Sequence, residues 1–159
     1  ELAITVSTLK STSETVTSIC PGTPPSLDIT PCAKVIDSII GSPYSLIDRI
    51  KKNGIGSPRF KINKSSDNIN NLLVLDKNIN YCNIELRPKG IIVRFRSLLE
   101  TYGLIIPFYK LNIHKEKSYQ YSIFYESSFI KLDVRKDKEY SFFKKMMDEK
   151  ASSSLRNPF

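Results

Sequence analysis

Residues 82–113, CNIELRPKGIIVRFRSLLETYGLIIPFYKLNI, limit the possible folds more than any other stretch. Apolar residues recur there with a period of two on both sides of a turn. Asn80, Cys82, Ile84 and Leu86 share one face, and Tyr81, Asn83, Glu85 and Arg87 share the other. After Pro88-Lys89-Gly90, Ile91, Val93 and Phe95 alternate with Ile92, Arg94 and Arg96. Successive strand residues point to opposite faces of a sheet. The pattern therefore predicts an antiparallel hairpin that buries one face and shows the other. Proline presets φ for the turn, and the glycine is expected to supply a positive φ.

The same period continues from Tyr102 to Val134. Residues 97–102 read as a helical turn or a bulge, after which Tyr102, Leu104 and Ile106 alternate. Pro107 implies a kink or an edge position, and the alternation resumes as Tyr109, Leu111 and Ile113. Residues 114–117 (HKEK) are expected to form a hairpin loop. Tyr119, Tyr121, Ile123 and Tyr125 then line one face of a strand, opposite Gln120, Ser122 and Glu126. Beyond Ser127-Ser128, Ile130, Leu132 and Val134 form the buried face of another. Upstream, 72–75 reads as a short strand ended by Asp76-Lys77-Asn78. At residue 137 the period changes to that of a helix. Over 137–150, Tyr140, Phe143 and Met147 form a stripe with Phe142 and Met146 beside it, and lysines stand outside. This stripe is expected to cover the tyrosines, and 151–159 to be a polar tail.

The first third of the chain is punctuated differently. Residues 1–29 read as an arm, either an edge strand carrying Leu2, Ile4 and Val6 or a loosely docked or disordered segment, broken by CPGTPPS at 20–26. A helical hairpin is predicted over 30–54. Thr30-Pro31 starts its first helix, Val35, Ile36, Ile39 and Ile40 form the apolar face, and Gly41 stops it. Ser42-Pro43 repeats the start signal before Leu46, Ile47 and Ile50, with Lys51 and Lys52 near the end and Gly54 as terminator. Residues 55–71 read as a linker holding Arg59, Lys61 and Lys64, with a short strand possible at 60–62. The fold class predicted is α+β: a helical hairpin, then an antiparallel sheet, then one amphipathic helix.

Six or seven strands followed by one helix over 72–150 resemble, in element order, a pleckstrin-homology-like (PH or GRAM type) domain. The resemblance implies a strongly bent sheet or partial barrel capped at its open end by the last helix. It carries over no binding residues, because the lipid-binding loop pattern of the phosphoinositide-specific members is absent. The two helices over 30–54 have no counterpart in a minimal domain of that kind, so they are expected to add a cap or an oligomerisation hairpin. The run RPKGIIVRFRSLLETYGLIIPFYKL is also similar to small proteins of Bacteroidota, which implies a bacterial source and no particular activity.

Charge narrows the partner class. The chain of 159 residues carries a net charge of +8, and the charge is unevenly placed. Residues 1–50 hold 3 cations against 5 acids, and residues 51–159 hold 21 against 11. A basic domain attracts phosphate-rich partners over roughly 8–10 Å in physiological salt. Arg87, Lys89, Arg94 and Arg96 form the candidate anion-binding set, since guanidinium groups in a row favour bidentate contact with phosphate or carboxylate.

Signatures of other chemistry are missing from the sequence. His114 is the sole histidine, and a Cys82–His114 nucleophilic pair would need hydrogen-bond reach and an orienting third group. Cys20, Cys32 and Cys82 with one histidine offer no zinc spacing. Glu85 with Glu100, and Asp133 with Asp137, lie among cations and read as surface ion pairs. Gly54 and Gly56 lack the preceding strand of a nucleotide cradle. No cofactor is expected. Three cysteines suggest reduced thiols in a cytoplasm, with a Cys20–Cys32 disulfide as the alternative. No apolar run approaches the ~18–20 residues of a membrane span. The expectation is a non-enzymatic module engaging a protein partner or an anionic headgroup through the basic hairpin, with peripheral membrane association open to it. The alternative is nucleic-acid binding through the same face.

Overall fold

The computed structural model describes residues 7–12, 15–18, 30–75, 80–98 and 100–156. In chain order the elements are β1 (Ser7–Thr12), β2 (Thr15–Ser18), α1 (Thr30–Ile40), α2 (Leu46–Lys51), β3 (Phe60–Ser65), α3 (Asp67–Leu73), β4 (Tyr81–Arg87), β5 (Gly90–Ser97), β6 (Glu100–Pro107), β7 (Asn112–Lys117), β8 (Gln120–Tyr125), β9 (Ser128–Asp133) and α4 (Asp137–Arg156). The strands form one antiparallel sheet in the order β2-β1-β6-β5-β4-β3-β9-β8-β7. Seven of them, β3 to β9, make up its body. The class is α+β, and among the described residues no pairing joins β7 to the opposite edge to close a barrel.

The β4–β5 hairpin has the register its alternation demands, from Cys82↔Phe95 to Arg87↔Gly90. Cys82, Ile84, Leu86, Ile91, Val93 and Phe95 are buried in the main core. Every strand from β3 to β9 contributes to that core except β7, whose Ile113 packs against it half-buried. Helix α4 seals the core. Phe143 meets Phe60 edge-on at 5.3 Å and Tyr121 at 4.5 Å, and Phe142 and Met146 are buried beside it. Its first turn is capped from within: the Glu139 carboxylate accepts from the Arg135 and Lys136 backbone N–H groups at 2.7 and 3.1 Å. A second, smaller cluster lies on the outer face of the sheet. There Ile40 of α1 packs with Ile92 and Ile105, and Ile36 and Ile39 cover them.

Gly90 explains how closely α1 approaches. A Cβ at this position would lie 2.5 Å from both the Ile106 carbonyl oxygen and Ile40 Cγ2. The glycine is needed for this close passage and not for a positive φ, which is found at Gly41 and Gly54. Gly41 terminates α1 as expected, with its N–H donating to the Asp37 carbonyl at 2.9 Å.

Several expectations change. Residues 72–75 are the end of α3 and a turn, not a strand. Ile69 and Leu73 are both buried at helical spacing, and so short an apolar run cannot separate strand from helix by periodicity. The expected linker 55–71 holds β3, whose Phe60 and Ile62 are buried and whose pairing with both β4 and β9 puts it mid-sheet. Helix α2 starts three residues late, because Ser45 and not Ser42 caps it: the Asp48 N–H donates to Ser45 Oγ at 3.3 Å. Within 97–102, Ser97 ends β5 and pairs with Glu100 at the start of β6, with Leu98 at φ +55°. The 114–117 run belongs to β7, while Tyr119 sits in the turn after it and Tyr109 in a 3-10 turn after Pro107. In α4, Met147 is exposed while Phe142 and Met146 are buried, and the helix continues through most of the expected tail. The Leu2/Ile4/Val6 start, the 20–26 breaker, the 76–78 turn and a Cys20–Cys32 bridge lie outside the described residues and side chains. Backbone pairing of β1 with β6 and β2 is described.

Candidate functional site

The inner residues of β4 and β5 fill the core, so the alternate residues must stand on the outer face. Helix α1 covers one half of that face and leaves the other half open. This division separates the four candidate cations. Arg87, under α1, is buried. Its Nε donates to Glu85 Oε1 at 2.8 Å, and its Nη1 lies 3.6 Å from Asp37 Oδ1, an ion-pair distance that ties α1 to the hairpin. Arg87 therefore links α1 to the hairpin, with about 10% of its side chain exposed. Lys89 is exposed in the turn at the same end, where its backbone N–H donates to the Ile40 carbonyl at 2.9 Å. Arg94 and Arg96 occupy the open half. Arg94 is 44% exposed at its side chain and bridges Glu85 Oε2 at 2.6 Å, and Arg96 is exposed.

Neighbouring strands extend this open half with groups from the expected linker. Lys61 of β3 pairs with Tyr81 of β4, and Asn83 pairs with Arg94. Continuing that register sets Tyr81 beside Arg96. Arg59 lays its guanidinium over the exposed Tyr81 ring at 5.4 Å. The result is an aromatic ring among Arg59, Lys61 and Arg96. Arg59 and Lys61 are visible as a charge cluster in the sequence, but their place beside the hairpin depends on β3 being a strand.

A cavity of about 310 Å³ opens at the edge of this face, lined by Arg49, Ile55, Gly56, Ser57, Asn83, Ile84, Glu85 and Arg94. Its wall is built by the 55–57 segment, which runs beside β4. Leu86 N–H donates to the Ile55 carbonyl at 2.8 Å, Gly56 bridges Glu85, and the Ile84 N–H donates to Ser57 Oγ at 2.7 Å. Arg49 reaches the cavity from α2, its Nε held by the Tyr44 carbonyl at 3.0 Å. No sequence signal points to Arg49, since only the tertiary fold brings α2 to β4. Two arginines therefore converge on a recess whose one carboxylate, Glu85, is already engaged by Arg87 and Arg94. Such a recess suits a small anion, which can compete for Arg94 and recruit Arg49.

The position of α2 is fixed from behind by α4. Lys145 donates to the carbonyls of Lys52 and Gly54, and Lys52 pairs with Glu149. Burial, with the nearby Lys52 charge, lowers the Lys145 pKa. A cation at these last carbonyls satisfies the end of α2.

The other candidates are taken apart. Cys82 is on the inner face, and burial pushes its thiol up to about 12. His114 is exposed on β7 and meets Phe124 edge-on at 5.4 Å. The two lie on different faces of strands that three others separate in the sheet, so they form no nucleophilic pair. Asp133 pairs with Arg135 at 3.4 Å. Among the described residues no group of three or more His, Cys, Asp or Glu side chains is placed to hold a metal ion. No helix among them is long and apolar enough to cross a membrane.

Compared with known proteins, the chain matches no family model, no curated protein and no solved structure.

Proposed function

We propose that this chain is a non-enzymatic binding module of PH-like type that engages an anionic ligand, free or borne by a protein partner, through the open half of the β4–β5 face. The observation that carries this reading is the exposure of Arg94 and Arg96 beside a recess that Arg49 also enters. Arginine suits such a role because its planar fork binds phosphate or carboxylate in two places at once. The PH-like part is supported by element order: β3 to β6 and β7 to β9 each meander, β3 and β9 pair, and one helix follows β9. One core containing both Phe95 of β5 and Tyr121 of β8 supports a sheet bent upon itself.

A second reading, nucleic-acid binding, is favoured by the exposed Tyr81 ring among cations, which offers a stacking platform for a base. Salt titration separates the two. Contacts with nucleic-acid phosphates weaken log-linearly with salt, by roughly 0.7–0.9 in slope per phosphate engaged.

The test is Arg94→Glu/Arg96→Glu, assayed by calorimetry with pyrophosphate and by retention on single-stranded DNA. The double variant is expected to stay folded, with a midpoint lowered by the new carboxylate at position 94 facing Glu85, and to lose pyrophosphate binding by at least about tenfold, since each charge-assisted contact contributes roughly 1.5–3 kcal/mol. Unchanged binding in a folded double variant refutes the assignment. DNA retention with a steep salt slope, and weak pyrophosphate binding, selects the second reading.

A further inference from the structure

Helix α2 breaks the rule that the rest of the molecule obeys. Leu46, Ile47 and Ile50 are 75%, 66% and 77% exposed, and none of its residues is buried. Their spacing puts all three within one ~100° arc of the helix, so they form a single apolar face. The helix is nevertheless well specified. Ser45 caps it, and Lys145 and Glu149 of α4 tether its far end through Lys52 and Gly54. A rigidly held helix with its aliphatic side turned to water is an interaction surface.

The charges around it identify the occupant. Arg49 and Lys51 flank the apolar arc, and Asp48 lies away from it, engaged with Ser45 at 2.7 Å. Arg49 also enters the recess that Arg94 lines, so one turn of helix joins the aliphatic face to the cationic face. The apolar residues project from a six-residue helix, and none of them lines the recess that Arg49 enters. A protruding aliphatic tip with a cationic collar complements an anionic bilayer, which has negative headgroups above a deformable apolar interior. We infer that α2 is a membrane-surface anchor: Leu46, Ile47 and Ile50 enter the acyl boundary of an anionic leaflet while Arg49, Lys51, Arg94 and Arg96 meet lipid phosphates. This rests on the anion-binding reading of the β4–β5 face and names a lipid headgroup as the source of the anion.

The chain contains no tryptophan, so Ile47→Trp makes a background-free reporter. Its emission is expected to shift to the blue on adding phosphatidylcholine vesicles that carry phosphatidylserine, and to stay unshifted with phosphatidylcholine alone. In a flotation assay Leu46→Gln/Ile47→Gln/Ile50→Gln is expected to lose at least about tenfold in vesicle affinity while binding pyrophosphate like the wild type. Unshifted emission on anionic vesicles, or full vesicle binding by the glutamine variant, overturns the inference. A wild-type dimer that the glutamine variant turns into a monomer, with no vesicle binding, also overturns it and assigns the face to a second copy. Pyrophosphate binding without vesicle binding sinks the anchor alone, whereas loss of both sinks the anion-binding reading too.

Discussion

Helices α2 and α4 are both amphipathic and both basic on their polar side, yet they use their apolar faces in opposite ways. Helix α4 puts Phe142, Phe143 and Met146 into the core, while α2 leaves Leu46, Ile47 and Ile50 in water. The two are in contact through Lys52–Glu149 and the Lys145 amine, so they differ in what their apolar faces meet and not in isolation from the fold. Helical periodicity says that a face seeks an apolar partner. It does not say whether that partner belongs to the same molecule. The fold supplies the partner for α4, and for an anchoring α2 a bilayer supplies it.

The largest expected effect tests the α4 side. Phe143 is almost wholly buried between Phe60 and Tyr121, so Phe143→Ala removes a large ring from a packed site. Such truncations destabilise by about 3–5 kcal/mol, readable as a shift of the urea midpoint at unchanged slope. A loss under ~1 kcal/mol would mean that α4 is docked loosely and that the contrast with α2 fails.

The two faces also differ in how readily the sequence discloses them. The β4–β5 hairpin, with its buried and open sides, is legible because period-two alternation is a local property. Helix α4 is legible for the same reason, although its stripe is turned by about one residue, ~100°, from the expected one: Met147 faces water and Met146 the core. Strand β3 is not legible. Its one strongly apolar pair, Phe60 and Ile62, lies in a polar stretch, and its burial comes from β4 and β9, which are distant in sequence. Without β3, the sequence cannot place Arg59 and Lys61 beside the hairpin. Arg94 and Arg96 emerge from alternation alone, but so does Arg87 on the outer face of the neighbouring strand, which α1 covers. Nothing local distinguishes Arg87 from Arg94. Asp37, 50 residues earlier, makes the difference.

A smaller effect tests whether α4 seals the interior. The Cys82 thiol, ordinarily near 9.0, is pushed up to about 12 by burial. Between those values the unfolded chain has released its proton while the folded chain keeps it. Proton release then favours unfolding, so this contribution to stability is intact below pH 9 and is lost as pH rises toward 12. Stability measured against pH for wild type and Cys82→Ala isolates the thiol from the lysines and tyrosines that titrate in the same range. The wild type is expected to fall more steeply above pH 9. With Cys20→Ser and Cys32→Ser in the background, native Cys82 is also expected to resist alkylation until the chain unfolds. Parallel pH curves and rapid alkylation of the native chain would show an interior open to solvent.

The smallest expected effect is the most informative about α2. Glutamine matches leucine closely in helix propensity and exceeds isoleucine, so Leu46→Gln/Ile47→Gln/Ile50→Gln preserves the helix while removing its aliphatic face. Since these side chains are two-thirds or more exposed in the free chain, the unfolding free energy is expected to change by less than ~0.5 kcal/mol per site, as for other surface substitutions. Phe143→Ala therefore loses stability and the α2 variant loses only its binding. Suppose instead that the α2 variant lost several kcal/mol in dilute solution. Its apolar face would then be covered by protein before any membrane is present. A midpoint that rises with protein concentration would identify the cover as a second copy of the chain, because association stabilises the folded state by mass action. An unchanged midpoint at every concentration leaves the face free for an external partner, which is the condition the anchor requires.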